Sequence, residues 1–209
     1  MSRGTGAAGP MILAIRHGAT ELSASGAFVG RTDPPLSARG ETQAMAWGGF
    51  AASGLVTRTA TSPLRRAAQT AALAGFPART VDADLAEWDL GELEGRDAET
   101  WRRANPGWSL FDQGPPGEAG ERYADVAQRV GRVISGVTSE EGLTVLVAHG
   151  QLLKVLAVEL LGLPVANASR LAYGPGRAAL YLRRSAGWCL AGWNLAAPGD
   201  PGNFVAELT

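Results

Sequence analysis

One cysteine, Cys189, stands among 209 residues, which excludes an internal disulfide framework and any cysteine-cluster metal site. Long hydrophobic runs are missing as well. The apolar stretch at residues 11–15 stops at Arg16, far short of a signal-peptide core or a transmembrane helix. Neither sign of charge prevails: 19 basic residues against 20 acidic give a net charge of -1. A broad nucleic-acid-binding face and a polybasic membrane anchor are therefore not expected, and a cytoplasmic protein is. Lysine is almost absent, Lys154 being the one copy, and histidine occurs twice, as His17 and His149. Any imidazole chemistry must use one or both of those rings. The other basic residues are arginines, whose fixed fork of donors suits phosphate and carboxylate oxyanions. A GC-rich coding bias gives the same skew, so positions rather than counts must decide.

What is present suits one compact domain, with 45% hydrophobic residues and a length that allows one sizeable core. Residues 1–10 are small and Gly-rich and read as a disordered leader, 11–197 as a single domain and 198–209 as a tail. Residues 11–15 and 143–148 are apolar runs that read as buried strands, one ending at Arg-His-Gly and the other at His-Gly. Further extended segments are expected at 58–61, 81–85, 178–183 and 188–194. Helices are expected at 37–54, 64–73, 121–135 and 151–161, the second with Pro63 at its first position, and 20–36 reads as a loop. This alternation implies an α/β fold with a mostly parallel central sheet. In such sheets ligands bind beyond the carboxyl ends of the strands, and both histidines lie at those ends.

Gly18 is expected to let the backbone turn so that Arg16 and His17 project into one pocket. An imidazole nitrogen can attack an electrophile directly, and phosphorus is the usual one where arginines surround it. The plainer alternative is a buried histidine bonded to a backbone carbonyl, with Arg16 on the surface. A second strand-end His-Gly, in a chain with only two histidines, weighs against it. Ser62 and Arg66 fall in the first turn of the helix after Pro63, where free backbone N–H groups favour anions. Glu87 follows an expected strand beside Trp88, whose ring would exclude water and suit the carboxyl to acid catalysis. Taken alone, Glu87 reads more readily as a surface acid among Asp89, Glu92 and Glu94. No metal-ligand spacing is present, and no Gly-x-Gly-x-x-Gly follows a strand, which speaks against a Rossmann nucleotide site.

Five ordered motifs carry a resemblance. They are Arg16-His17-Gly18-Ala19-Thr20, the stretch 30–37 from Gly30-Arg31-Thr32-Asp33, the stretch 61–71 from Thr61-Ser62-Pro63-Leu64-Arg65-Arg66, Glu87-Trp88-Asp89-Leu90-Gly91 on to Gly95, and Val147-Ala148-His149-Gly150. Together they resemble the histidine phosphatase superfamily, in the branch that includes the cofactor-dependent phosphoglycerate mutases, over most of residues 11–194. The resemblance implies a three-layer α/β/α fold, a small phosphorylated substrate, and neither cofactor nor metal. It implies that neutral His17 becomes a phosphohistidine. Arg16, Arg66 and a charged His149 would bind the phosphoryl oxygens, and Glu87 would serve as general acid and then base. Thr20, Ser23, Gly30, Gly150 and Gln151 are implied as phosphate or substrate contacts, and a homodimer is left open.

Departures from the mutase pattern decide between branches. Ala19, Leu22, Ser23, Leu90 and Ala98 stand where the mutases carry Glu, Trp, Asn, Tyr and Lys, and Ser109-Leu110 stand where a substrate-holding arginine pair falls. Loss of those cations favours release and hydrolysis over return of the phosphoryl group. The chain is more similar to the broad-specificity acid phosphatases and sedoheptulose-bisphosphatase-like enzymes, although Phe28-Val29 replace the usual His-Thr of that branch. A phosphoglycerate mutase and an inactive phosphate-binding regulatory domain are the alternatives. Trp101, Trp108 and Phe111, in the segment 101–117, read either as a cap on the pocket or as simple packing.

Overall fold

The computed structural model describes residues 9–76, 79–139 and 141–206. Among them six strands form one sheet: β1 (Met11–Arg16), β2 (Val56–Thr61), β3 (Arg79–Val81), β4 (Leu143–Ala148), β5 (Ala178–Arg184) and β6 (Gly187–Leu195). The order is β3-β2-β4-β1-β5-β6. The first four strands run parallel, β5 pairs antiparallel with β1, and β6 pairs antiparallel with β5. Strand side chains alternate between two cores. Ile12 and Ala14 join Leu146 and Tyr181 on one face, while Leu13 and Ile15 join Val145, Val147 and Leu180 on the other.

Helices cover both faces, which gives the expected three layers. On the first lie α7 (Tyr123–Thr138), with buried Val126, Val130, Val133 and Val137 at helical spacing, and the largely buried α8 (Gly150–Leu161). On the second lie α3 (Gly48–Ala51) and α4 (Arg65–Leu73), with α2 (Ala38–Met45) packed on α4. The shorter helices α1 (Glu21–Ala24), α5 (Ala98–Ala104) and α6 (Leu110–Gln113) belong to connections around the carboxyl edge of β1 and β4.

Several boundaries differ from expectation. The helix expected over 37–54 is broken into α2 and α3, because Trp47 is fully buried and donates its indole N–H to Gly176 O at 3.0 Å. The strand expected over 81–85 is replaced by exposed β3. Asp82 then accepts the Asp84 N–H at 2.9 Å and caps a 3₁₀ turn, Ala83–Leu85. The loop over 20–36 opens with α1, and α4 starts at Arg65 with Leu64 as its N-cap, so Pro63 precedes the helix. Residues 1–8 of the expected leader and 207–209 of the tail lie outside the described residues. Pro10 is held in place, its carbonyl accepting the Arg183 N–H at 2.9 Å. The tail contributes α9 (Pro201–Ala206), whose Phe204 ring packs on Phe50 at 5.8 Å. Among the described residues no helix is long and apolar enough to cross a membrane.

Candidate active site

The site is assembled by strand register. Arg16 is paired with Ala148 and Thr61 with Val147, and the chain carries that pairing one step further. His17 N–H donates to Ala148 O at 2.9 Å, and Ser62 N–H to Val147 O at 3.0 Å. His17, His149 and Ser62 therefore emerge side by side, with the two imidazole centroids 5.1 Å apart. The two rings meet at one place, as the sequence had suggested.

Hydrogen bonding fixes the state of His17. Its Nδ1 lies 2.7 Å from Gly18 O, which can only accept, and its Nε2 lies 3.2 Å from Arg66 Nε, whose N–H can only donate. Nδ1 thus carries the proton and Nε2 presents a lone pair. Burial first, then the charges of Arg16 and Arg66, push the imidazole well below its usual range, so the ring is neutral and nucleophilic at Nε2. His149 departs from the expected cation. It is fully buried, and burial, followed by His17, Arg66 and Arg16, holds its pKa well below the ordinary value. The protein alone keeps it neutral. Its Nε2 is hydrogen-bonded to Ser62 Oγ at 2.6 Å, and its Nδ1 has no partner.

The two guanidinium groups are placed differently. Arg66 is buried and donates from Nη1 to Thr32 O and from Nη2 to Gly30 O, each at 2.8 Å, with Asp33 at 3.7 Å. Arg16 donates from Nη1 to Tyr173 O and leaves Nε buried and unpartnered. Two glycines matter for close approach. A Cβ on Gly18 would lie 2.3 Å from Gly40 O, and one on Gly150 3.2 Å from Arg16 Cζ. Gly18 does not adopt a positive φ, so packing against α2 rather than an unusual turn demands it.

Glu87 sits against the N-terminus of α8. It is buried, and its carboxylate accepts the N–H groups of Trp88 and Leu152 at 2.9 Å and of Gln151 at 3.1 Å. The expected shielding by Trp88 is replaced by this backbone cradle, since the Trp88 ring turns toward Phe111 and Tyr123 and donates to Glu121 O. Behind it lies a residue that sequence reasoning missed. Arg129, buried on α7, donates to Asp84 O, Ala86 O, Glu87 O and both Glu121 carboxylate oxygens. A charged residue on the apolar stripe beside Val126 and Val130 was the available signal.

A cavity of about 260 Å3 opens over this cluster, lined by Arg16, His17, Thr20, Ser23, Glu87, Gly150 and Gln151 among others. Arg66 and His149 do not line it and reach it through His17. Gly30 also stays off the cavity wall. Its carbonyl holds Arg66, and a Cβ there would strike Glu94 Oε1 at 2.3 Å and Trp88 O at 2.4 Å. The hydroxyls of Thr20 and Ser23 cap α1 through each other's N–H groups. Trp108 and Phe111 line a second, adjoining cavity, whereas Trp101 packs edge-on against Trp108. Arg102 lines both cavities. It stands one helical turn beyond Ala98, so the cleft is less depleted of cations than the mutase comparison had suggested. Among the described residues no group of three or more His, Cys, Asp or Glu could hold a metal ion.

Known proteins resemble this chain over most of its length. The family description "Histidine phosphatase superfamily (branch 1)" matches residues 12–196. A protein named "Acid phosphatase" in Mycobacterium tuberculosis is 34% identical over 77% of this chain and 80% of its own. One named "Probable phosphoglycerate mutase GpmB" in Proteus mirabilis is 30% identical over 93% of each chain. A mycobacterial glucosyl-3-phosphoglycerate phosphatase solved with VO3 superposes with a TM-score of 0.79 at 31% identity, covering 90% of this chain and 100% of that one. The chain belongs to the histidine phosphatase superfamily. Its enzyme class is that of a phosphoric monoester hydrolase.

Proposed function

We propose that the protein hydrolyses small phosphorylated metabolites, sugar phosphates or similar monoesters, in the cytoplasm, through one domain spanning 11–197 and a phosphohistidine on His17. The observation that carries this reading is the fixed tautomer of a ring that lines the cavity: Nδ1–H is held by Gly18 O while Nε2 faces Arg66. Nε2 forms a bond to the substrate phosphorus as the ester P–O bond breaks, and Glu87 gives its proton to the departing alkoxide. Glu87, now a carboxylate, takes a proton from water, whose oxygen displaces His17 and releases inorganic phosphate. Arg16 and Arg66 balance the charge on the phosphoryl oxygens in both steps. For this, Arg66 Nε–H turns from His17 to a phosphoryl oxygen as attack begins. The unpartnered His149 Nδ1 offers one further contact, and a dianion beside it favours the protonated ring.

The test is phosphate release from a panel of phosphorylated sugars, nucleotides and phosphoglycerates, with rapid-quench capture of an acid-labile, base-stable phosphoenzyme. Wild-type enzyme should release phosphate and trap the intermediate, and His17→Ala should do neither while keeping its melting transition. Vanadate should inhibit as a mimic of five-coordinate phosphorus. Comparable turnover by His17→Ala removes the nucleophile assignment. Isomerisation of phosphoglycerates without phosphate release favours the mutase of the Proteus relative's name, and no turnover on any ester favours a binding domain.

A further inference from the structure

We infer that the site takes phosphomonoesters whose leaving group bears a second anionic group, held by Arg102 and Lys154 in the adjoining cavity. This rests on the phosphatase reading and adds a substrate class to it. The phosphoryl cavity and its neighbour, about 150 Å3, share Phe28, Arg102 and Gln151, so one ligand can occupy both. The second cavity is unusually one-sided in its chemistry. Lys154, the sole lysine, lines it with Arg102 and Ser109, and no carboxylate does. Among the described residues neither cation makes a hydrogen bond or an ion pair with the protein. Each only rests near an aromatic ring, Arg102 at 5.5 Å from Phe28 and Lys154 at 5.9 Å from Phe111. The Ser109 hydroxyl is buried and unpartnered. These are donors without acceptors, gathered where a leaving group would lie.

Charge supports the same assignment. A phosphoryl dianion is matched by Arg16 and Arg66, which leaves two cations beyond it. Partial burial, Arg16 and Arg102 lower the Lys154 pKa while Glu87 raises it, so an anion between Lys154 and Arg102 relieves repulsion that the protein otherwise carries. Carboxylate and phosphate share the required chemistry, an oxyanion that accepts from a guanidinium, an ammonium and a hydroxyl.

Binding tests this apart from turnover. Propylphosphonate, 3-phosphonopropionate and propane-1,3-diylbisphosphonate carry one phosphonate with no second anion, a carboxylate or a second phosphonate. By calorimetry, wild-type protein should bind at least one of the two ligands that carry a second anion about tenfold or more tighter than propylphosphonate. Which one gains more tells carboxylate from phosphate. That advantage should collapse in Arg102→Gln and Lys154→Met, and persist in Arg103→Gln, which removes an equal charge from the same helix at an exposed pair with Glu99. Equal binding of all three ligands by wild type overturns the proposal, as does an advantage that survives in the two variants or falls equally in Arg103→Gln. A binding preference without phosphate release from any ester keeps the subsite and sinks the phosphatase reading. Release without preference does the reverse.

Discussion

At the level of single residues, the site sets His17 and Glu87 apart by the partners each one has. His17 is given a lone pair by two neighbours of fixed polarity. Glu87 is held by three backbone N–H groups, two at the start of α8 and one from Trp88, so its orientation does not depend on a mobile side chain. Glu87→Gln should slow alkyl phosphates by about 10² to 10⁴ and nitrophenyl phosphate much less, because nitrophenolate leaves without a proton. Equal losses on both esters, measured as kcat/KM, contradict the acid role. An amide also cannot accept N–H bonds at both ends, which should cost stability by about 1–3 kcal/mol, visible as a lower Tm. That His17, Arg16, Arg66, Glu87 and His149 belong to one cluster was legible, Glu87 only through the resemblance. Their protonation was not. Burial first, then His17, Arg66, Arg16 and Arg129, hold the His149 pKa well below its ordinary value, and no local pattern near residue 149 encodes them.

At the level of elements, what sequence could show was whatever local patterning decides. The buried strands β1 and β4 are short apolar runs, and their ends are marked by the residues that follow. Where a single side chain overrides the pattern, the sequence misleads. Trp47 breaks a helix by burying its indole against Gly176, and Asp82 ends β3 by capping the turn behind it. Gly30 was expected at the substrate and instead supports Arg66, a role that depends on how 30–33 folds back over α4. Gly150 is the sharpest element-scale test. Its position beside Arg16 leaves a Cβ 3.2 Å from Cζ, so Gly150→Ala must displace the guanidinium or the start of α8 by a few tenths of an ångström. The expected result is a drop in kcat/KM of about tenfold with Tm within about 3 °C of wild type. Unchanged kinetics would mean that Arg16 has slack the packing does not suggest.

At the level of the whole molecule, two buried neutral histidines link folding to pH. Both have folded-state pKa values below the ordinary 6.5. Between the folded and unfolded values the unfolded chain binds more protons, so stability is fully present above about pH 6.5 and falls as pH drops below it. Thermal melts between about pH 7 and pH 5 should show Tm decreasing toward acid, with a shallower decrease in His149→Gln. An equal slope in that variant would place the linkage elsewhere.

The pairing of β1 has a consequence of its own. The strand that leads into His17 is flanked by β4 on one side and β5 on the other, so it has no free edge from which to fray. Its amide protons are sealed on both sides by the innermost ladders, and His17 directly follows one of the strands least able to open locally. The cluster that β1 and β4 deliver to the cavity therefore stays together until the sheet itself gives way.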